Sequence, residues 1–359
     1  KYRRDFAPLR TRLIAGVDLE RSPGSRYEQR IAPVKTGAIY TSYTIGQTLY
    51  DYAVTYQGVA PYLQGEISPL EALRITAGVR YDTIRYDYTT RLAPLDSGSW
   101  KRPADMRIDY RHTSPKLGAT YAINPRHNVF VNYSHGFRAP SESQLFRQGS
   151  ALDTVGLQPV RANNYEMGLR AQPAQRLNYQ ISLYYLSKQD DILSYRDPLT
   201  GLTQAVNAGE TLHRGVEAGV GARLAQRWRL DTSLSYAKHT YEEWIVSGSA
   251  DYSGNEMETA PRTLANTRLG YTPALLKGGT LALEWIVLGP YWMDAANTHE
   301  YDGHRLLNLR ANLPLNAAWE VFGRVGNVAD RRYAESSSYT LSRGEEFAPG
   351  MPRTLYLGV

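Results

Sequence analysis

Apolar and polar residues alternate with a period of two along most of the chain, the mark of strands that show different faces to different surroundings. Over residues 73–81, Leu73, Ile75, Ala77, Val79 and Tyr81 point one way, and Arg74, Thr76, Gly78 and Arg80 the other. Leu177, Tyr179, Ile181, Leu183 and Tyr185 oppose Asn178, Gln180 and Ser182 in the same manner. Val216, Ala218, Val220, Ala222 and Leu224 oppose Glu217, Gly219, Gly221 and Arg223, and Leu307, Leu309, Ala311 and Leu313 oppose Asn308, Arg310 and Asn312. Segments of this length suit a tilted strand crossing a hydrocarbon slab. Helical spacing appears nowhere at comparable length.

The connections fall into two alternating kinds. Short turns run through Ser68-Pro69-Leu70, Asn124-Pro125-Arg126, Gln172-Pro173-Ala174-Gln175, Ala225-Gln226-Arg227, residues 273–279 and Pro314-Leu315-Asn316. Long polar segments lie between them, at 21–55, 85–110, 135–163, 192–212, 239–261, 289–304 and 328–352. Short turns at one end and long loops at the other predict an all-β fold, a transmembrane antiparallel β-barrel. The count is about fourteen strands, from near Arg10 to Val359. The last segment still alternates at Val359, and Lys1 opens without a lead. Residues 1–359 therefore read as a single barrel domain truncated at both ends.

Composition agrees with this pattern. There are 28 Tyr against 6 Phe, with 30 Gly, and mean hydropathy is negative. Alternation hides a lipid-facing surface inside a polar average, and Tyr suits the bilayer edge. The absence of Cys excludes disulfides, thiolate metal sites and a Cys nucleophile. A net charge of +6 without basic runs points away from nucleic acid.

Six phrases, in order, resemble landmarks of TonB-dependent outer-membrane receptors: YSHGFRAPSESQLF from Tyr133, LQPVRANNYEMGLR from Leu157, HRGVEAGV from His213, APRTLANTRLGY from Ala260, VGNVADRRYAE from Val325 and FAPGMPRTLYLGV from Phe347. The resemblance covers roughly the last two thirds of the chain. It implies a fragment of a barrel of about 22 strands with an N-terminal plug, so that the plug, the energy-coupling box and about eight strands are absent here. It also implies a Gram-negative outer-membrane location and active uptake of a scarce, large solute, a ferric siderophore first. The partners it implies are that solute, the protein's own plug, outer-membrane lipid, and a TonB-type energy-coupling protein reached through the missing N-terminal part. Haem, cobalamin or another cofactor-like cargo, or a passive channel, stand as alternatives. Haem is disfavoured because no His lies between Gly136 and Tyr165.

Gripping a large anionic chelate calls for Arg forks and aromatic faces. The loop candidates for substrate binding are Arg138, Arg147, Tyr195, Arg196, Tyr241, Trp244, Tyr291 and Trp292, with Tyr252 and Tyr301 beside them. Loop Tyr and Trp in barrels also pack loops together or sit in the interfacial girdle. By parity Arg74, Arg80, Arg170, Glu217, Arg223 and Arg310 face the lumen and, in the intact protein, a plug. No nucleophile, base and orienter come together, so no enzyme is expected, and no cofactor. His299 and His304 stand five apart, one too many for a helical zinc box, so no metal site is expected either.

Overall fold

The computed structural model describes residues 1–98, 100–149, 153–196, 203–207, 209–247, 250–276 and 278–359, with backbone alone at 194–196, 203–204 and 246–247. Fifteen strands form one sheet in which each pairs antiparallel with the next in the chain. They are Tyr2–Phe6, Thr11–Thr36, Ile39–Leu70, Leu73–Thr90, Met106–Asn124, His127–Arg138, Val160–Ala174 and Leu177–Gln189. Then follow Glu210–Ala225, Trp228–Glu243, Thr263–Tyr271, Thr280–Leu288, His304–Pro314, Glu320–Gly326 and Thr354–Gly358.

The short-turn ends lie where the sequence places them, and the loop ends differ. Residues 21–55, expected as a loop, are strand: Thr11–Thr36 and Ile39–Leu70 pair from Arg12↔Glu66 to Thr36↔Ile39. A two-residue turn closes them, with Gly37 at φ 64°, a backbone that glycine adopts without a Cβ clash. Backbone hydrogen bonding carries this ribbon beyond the bilayer, where polar side chains on both faces erase the alternation that marks a strand within it. The fifteenth strand is Tyr2–Phe6, which pairs with residues 11–15 and precedes the expected start near Arg10.

Leu117, Met167, Leu183, Val220 and Leu283 stand on one exposed face of the sheet. Tyr165, Tyr185 and Tyr236 form a belt on that face toward the loop ends, and Trp228 stacks on Tyr271 at 4.4 Å near the short turns. An apolar band between two aromatic rows is the lipid-facing surface of a barrel wall. The buried core lies elsewhere, on the lumen face above the belt. There Leu49, Tyr50, Tyr52, Val54, Tyr86, Tyr88 and Tyr110 meet Leu145, Phe146 and Leu157 from a loop.

Candidate functional site

The site is built at the loop end, where two caps of packed loops fold over the lumen. Residues 139–159 lead it. Ser141 caps the one-turn helix Glu142–Phe146 through a capping box with Gln144. The helix delivers Leu145 and Phe146 into the tyrosine wall, and Phe146 stacks on Tyr88 with centroids 4.4 Å apart. The wall then grips the loop backbone: the Tyr86 hydroxyl donates to Pro140 O at 3.0 Å and the Tyr110 hydroxyl to Leu157 O at 3.0 Å. Gly149 N–H donates to the Tyr50 hydroxyl at 2.7 Å, and the Tyr52 hydroxyl bonds the Glu142 carboxylate. Burial pushes the Tyr86 and Tyr110 phenols up to about 12, so both stay protonated donors at neutral pH. Arg147 donates two 2.8 Å hydrogen bonds to Glu28, whose carboxyl is held below its ordinary range chiefly by that guanidinium.

A second cap joins residues 244–247 and 250–262 with 289–303 and 327–353. Tyr241 is buried and packs against Trp244 with tilted rings 4.4 Å apart, and Trp244 meets Tyr252 at 5.1 Å. Asn297 locks two of these loops: its side chain accepts from Glu256 N–H and donates to Glu256 O, both at 2.8 Å. Tyr291 is buried, and its hydroxyl accepts from Ser337 N–H at 3.1 Å and from Ser337 Oγ at 2.9 Å.

Between the two caps lies a polar chain. Asp191 is almost fully buried and accepts from Thr211 Oγ1 at 3.0 Å, with Lys188 at 3.3 Å and Arg138 at 3.7 Å. Thr211 Oγ1 also lies 3.3 Å from His213 Nε2, and His213 Nδ1 lies 2.8 Å from His239 Nδ1. Since Thr211 spends its proton on Asp191, His213 Nε2–H donates to Thr211, and His239 Nδ1–H donates to His213. Burial, with the nearby Lys188 charge, pushes His213 down to about 4, so the imidazole is neutral at pH 7.

The expected binding residues thus divide. Arg147, Tyr241, Trp244 and Tyr291 are committed to loop structure. Arg138 is half exposed beside Asp191, and Trp292, Tyr252 and Tyr301 are half buried. The backbone of Tyr195 and Arg196 pairs with Gln204 and Thr203, while their side chains lie outside the described residues. On the lumen wall, Arg80 pairs with Asp18 and Asp82, Arg74 sits 3.5 Å from Glu66, and Arg170 bonds Gln180 at 3.0 Å above the Phe130 ring. Arg310 and Arg268 each reach Glu284 at 3.1 Å, joined by Asn308 at 3.2 Å, whereas Glu217 and Arg223 are exposed. Near the short turns these walls enclose a hollow of about 650 Å³ lined by Asn128, Arg170, Asn178, Asp231 and Arg268. His304 bonds the Tyr301 hydroxyl at 3.0 Å, and His299 contacts Thr298 Oγ1 at 2.9 Å. Among the described residues no cluster of three metal-ligating side chains forms.

Sequence reasoning missed Glu28, the five wall tyrosines, Asp191, Glu284 and the His213–His239 pair. The signal was present in Tyr50-x-Tyr52-x-Val54-x-Tyr56 and Tyr86-x-Tyr88, period-two runs continuing past the predicted loop edges. His213 and His239 are cross-strand partners, which only the register reveals.

A lipid-facing wall with a polar lumen and a cap of packed loops defines an outer-membrane β-barrel. The chain belongs to the family described as TonB dependent receptor-like, beta-barrel, which matches residues 2–328. It is 25% identical over 301 residues to the metal-pseudopaline receptor CntO of Pseudomonas aeruginosa, covering 83% of this chain and 40% of that protein. It is 25% identical over 362 residues to the ferrioxamine receptor of Yersinia enterocolitica, covering 93% of this chain and 46% of that protein. The chain thus spans less than half the length of both relatives. Among solved structures it resembles the siderophore receptor PiuA from Acinetobacter baumannii, with TM-score 0.78 and 15% identity over 99% of this chain and 53% of that one. The copper transporter OprC gives TM-score 0.77 and 18% identity over 97% and 54%. At these identities the likeness shows the fold. The family and its barrel place the chain in the Gram-negative outer membrane.

Proposed function

We propose that this chain forms barrel wall and outer vestibule of a receptor for active uptake of a scarce metal chelate, a ferric siderophore first. The observation that carries the reading is the inward packing of Leu145, Phe146 and Leu157 onto the tyrosine wall, beside an Arg138 that stays half exposed at the lumen mouth. A folded vestibule narrows the lumen to a recognition surface, which a sieve for small solutes does not need. The relatives' names, for ferrioxamine and metal-pseudopaline receptors, support a metal-chelate cargo. In this reading Arg138, Trp292, Tyr252 and Tyr301 meet the cargo, with Tyr195 and Arg196 retained as candidates. Arg147, Tyr241, Trp244 and Tyr291 hold the loops.

The wall residues Arg74, Arg80, Arg170, Glu217, Arg223 and Arg310, with the hollow beside Arg170, face a plug supplied by the rest of the protein. An energy-coupling protein of the TonB type acts through that plug. Exposed wall charges such as Arg74, Glu217 and Arg223 exchange partners at little cost, which suits a plug that must move.

The test is uptake by cells making the full-length protein, offered iron-loaded siderophores, haem and cobalamin in turn, with and without a proton-motive-force uncoupler. Uncoupler-sensitive accumulation of one ferric chelate is the expected result. Accumulation indifferent to the uncoupler would overturn the active mechanism, and accumulation of haem or cobalamin alone would overturn the cargo.

A further inference from the structure

The lipid-facing surface carries a concave feature among the described residues. A groove of about 640 Å³ runs between Leu117, Val131, Met167 and Leu183, walled by Tyr133, Tyr165 and Tyr185. Ala119 lines it too, and its short side chain helps give the groove depth. The tyrosines stand side by side, with centroids 5.0 Å apart for Tyr133–Tyr165 and 6.4 Å for Tyr165–Tyr185.

The cross-strand register extends this row to two cations. Leu117 pairs with Tyr133, Tyr133 with Tyr165, Tyr165 with Tyr185, Tyr185 with Arg214 and Arg214 with Lys238. The row also climbs. Tyr133 lies six residues from its short-turn end at His127, Tyr185 eight from Leu177, Arg214 eleven from Ala225 and Lys238 ten from Trp228. Tilted strands make such a row rise from mid-bilayer to the outer headgroup level. Arg214 is exposed there and has no carboxylate at ion-pair distance among the described residues. Lys238 is 40% exposed, with Glu256 at 3.8 Å. Two neighbouring cations above an apolar groove complement a phosphate joined to acyl chains.

We propose that the groove and the Arg214–Lys238 pair hold one phosphorylated, multiply acylated glycolipid of the outer leaflet, an acyl chain in the groove and a phosphate on the cations. The rise of the row toward the loop end selects this lipid over the diacyl phospholipid of the inner leaflet. A lipid held this way braces the strands that carry His135, Asn163 and His213 to the vestibule.

Native mass spectrometry of the full-length protein in mild detergent tests this, with bisphosphorylated lipid A, monophosphoryl lipid A and phosphatidylglycerol offered separately. One bisphosphorylated lipid A should be retained, the monophosphoryl form more weakly. Arg214→Ala with Lys238→Ala should weaken retention about tenfold or more. Ala119→Trp, which fills the groove, leaves both cations and suits a lipid-facing surface, should weaken it as well, with folding checked by heat-dependent gel migration. Equal retention by the folded variants, or phosphatidylglycerol held as tightly as lipid A, would overturn the proposal.

Discussion

Arg147 and Glu28, 119 residues apart, are joined by two parallel 2.8 Å hydrogen bonds that tie a loop to a strand of the outer ribbon. Glu28→Gln should loosen residues 141–157 by about 1 kcal/mol, a charge-assisted pair discounted for its half-exposed Arg147. Hydrogen exchange of that loop in the full-length protein would then rise about fivefold, by the same estimate. The carboxyl is depressed, so its contribution is complete above the ordinary value of 4.5 and is lost as pH falls through the lowered one. Exchange indifferent to both the substitution and acid would remove this tether.

The same loop depends on one apolar anchor. Phe146 is fully buried against Tyr52, Tyr86 and Tyr88. Phe146→Ala should cost about 3 kcal/mol, which exceeds the polar tether and undocks the loop. Protease cleavage confined to residues 141–157 of the variant would show this, and a parent-like digest would contradict it.

Acid should also reach the His213–His239 pair. His213 is depressed to about 4 against an ordinary 6.5, so the unfolded chain binds the proton first. Stability present above pH 6.5 is therefore lost as pH falls toward 4. His213→Gln, which carries no titrating group, should flatten that part of the profile in thermal unfolding at pH 4 to 7. A profile of unchanged slope would show that the pair does not titrate as its burial requires.

On the lumen wall, Glu284→Gln removes the carboxylate between Arg268 and Arg310. Loss of about 2 kcal/mol is expected, lower than for a fully buried pair because both guanidiniums reach solvent. Arg74→Gln, whose Glu66 partner is 3.5 Å away, should stay within about 0.5 kcal/mol. Thermal unfolding of both variants checks the contrast, and equal shifts would refute it.

Within the bilayer, strands were legible because lipid on one side and a polar lumen on the other force the period of two, as at 177–185 and 216–224. Above the bilayer both faces meet water, so 21–55 reads as loop although its backbone remains paired. Most of the short turns were legible through a Pro, as at Pro69, Pro125, Pro173 and Pro314. The site was harder. Arg147 carries the Arg fork that chelate binding calls for, but whether that fork is free depends on Glu28, a residue in another strand that no local pattern connects to it. Tyr241 and Trp244 likewise carry the aromatic faces such binding uses, and only the fold shows that both are buried against each other.

Besides the Phe146 anchor, the tyrosine wall grips this loop by its main chain, through the carbonyls of Pro140 and Leu157 and the amide of Gly149. Main-chain atoms survive substitution. Exposed residues of the loop, such as Ser143 and Gln158, can therefore change while the loop keeps its shape. A loop end built this way can vary its outer surface without changing the shape of the mouth behind it.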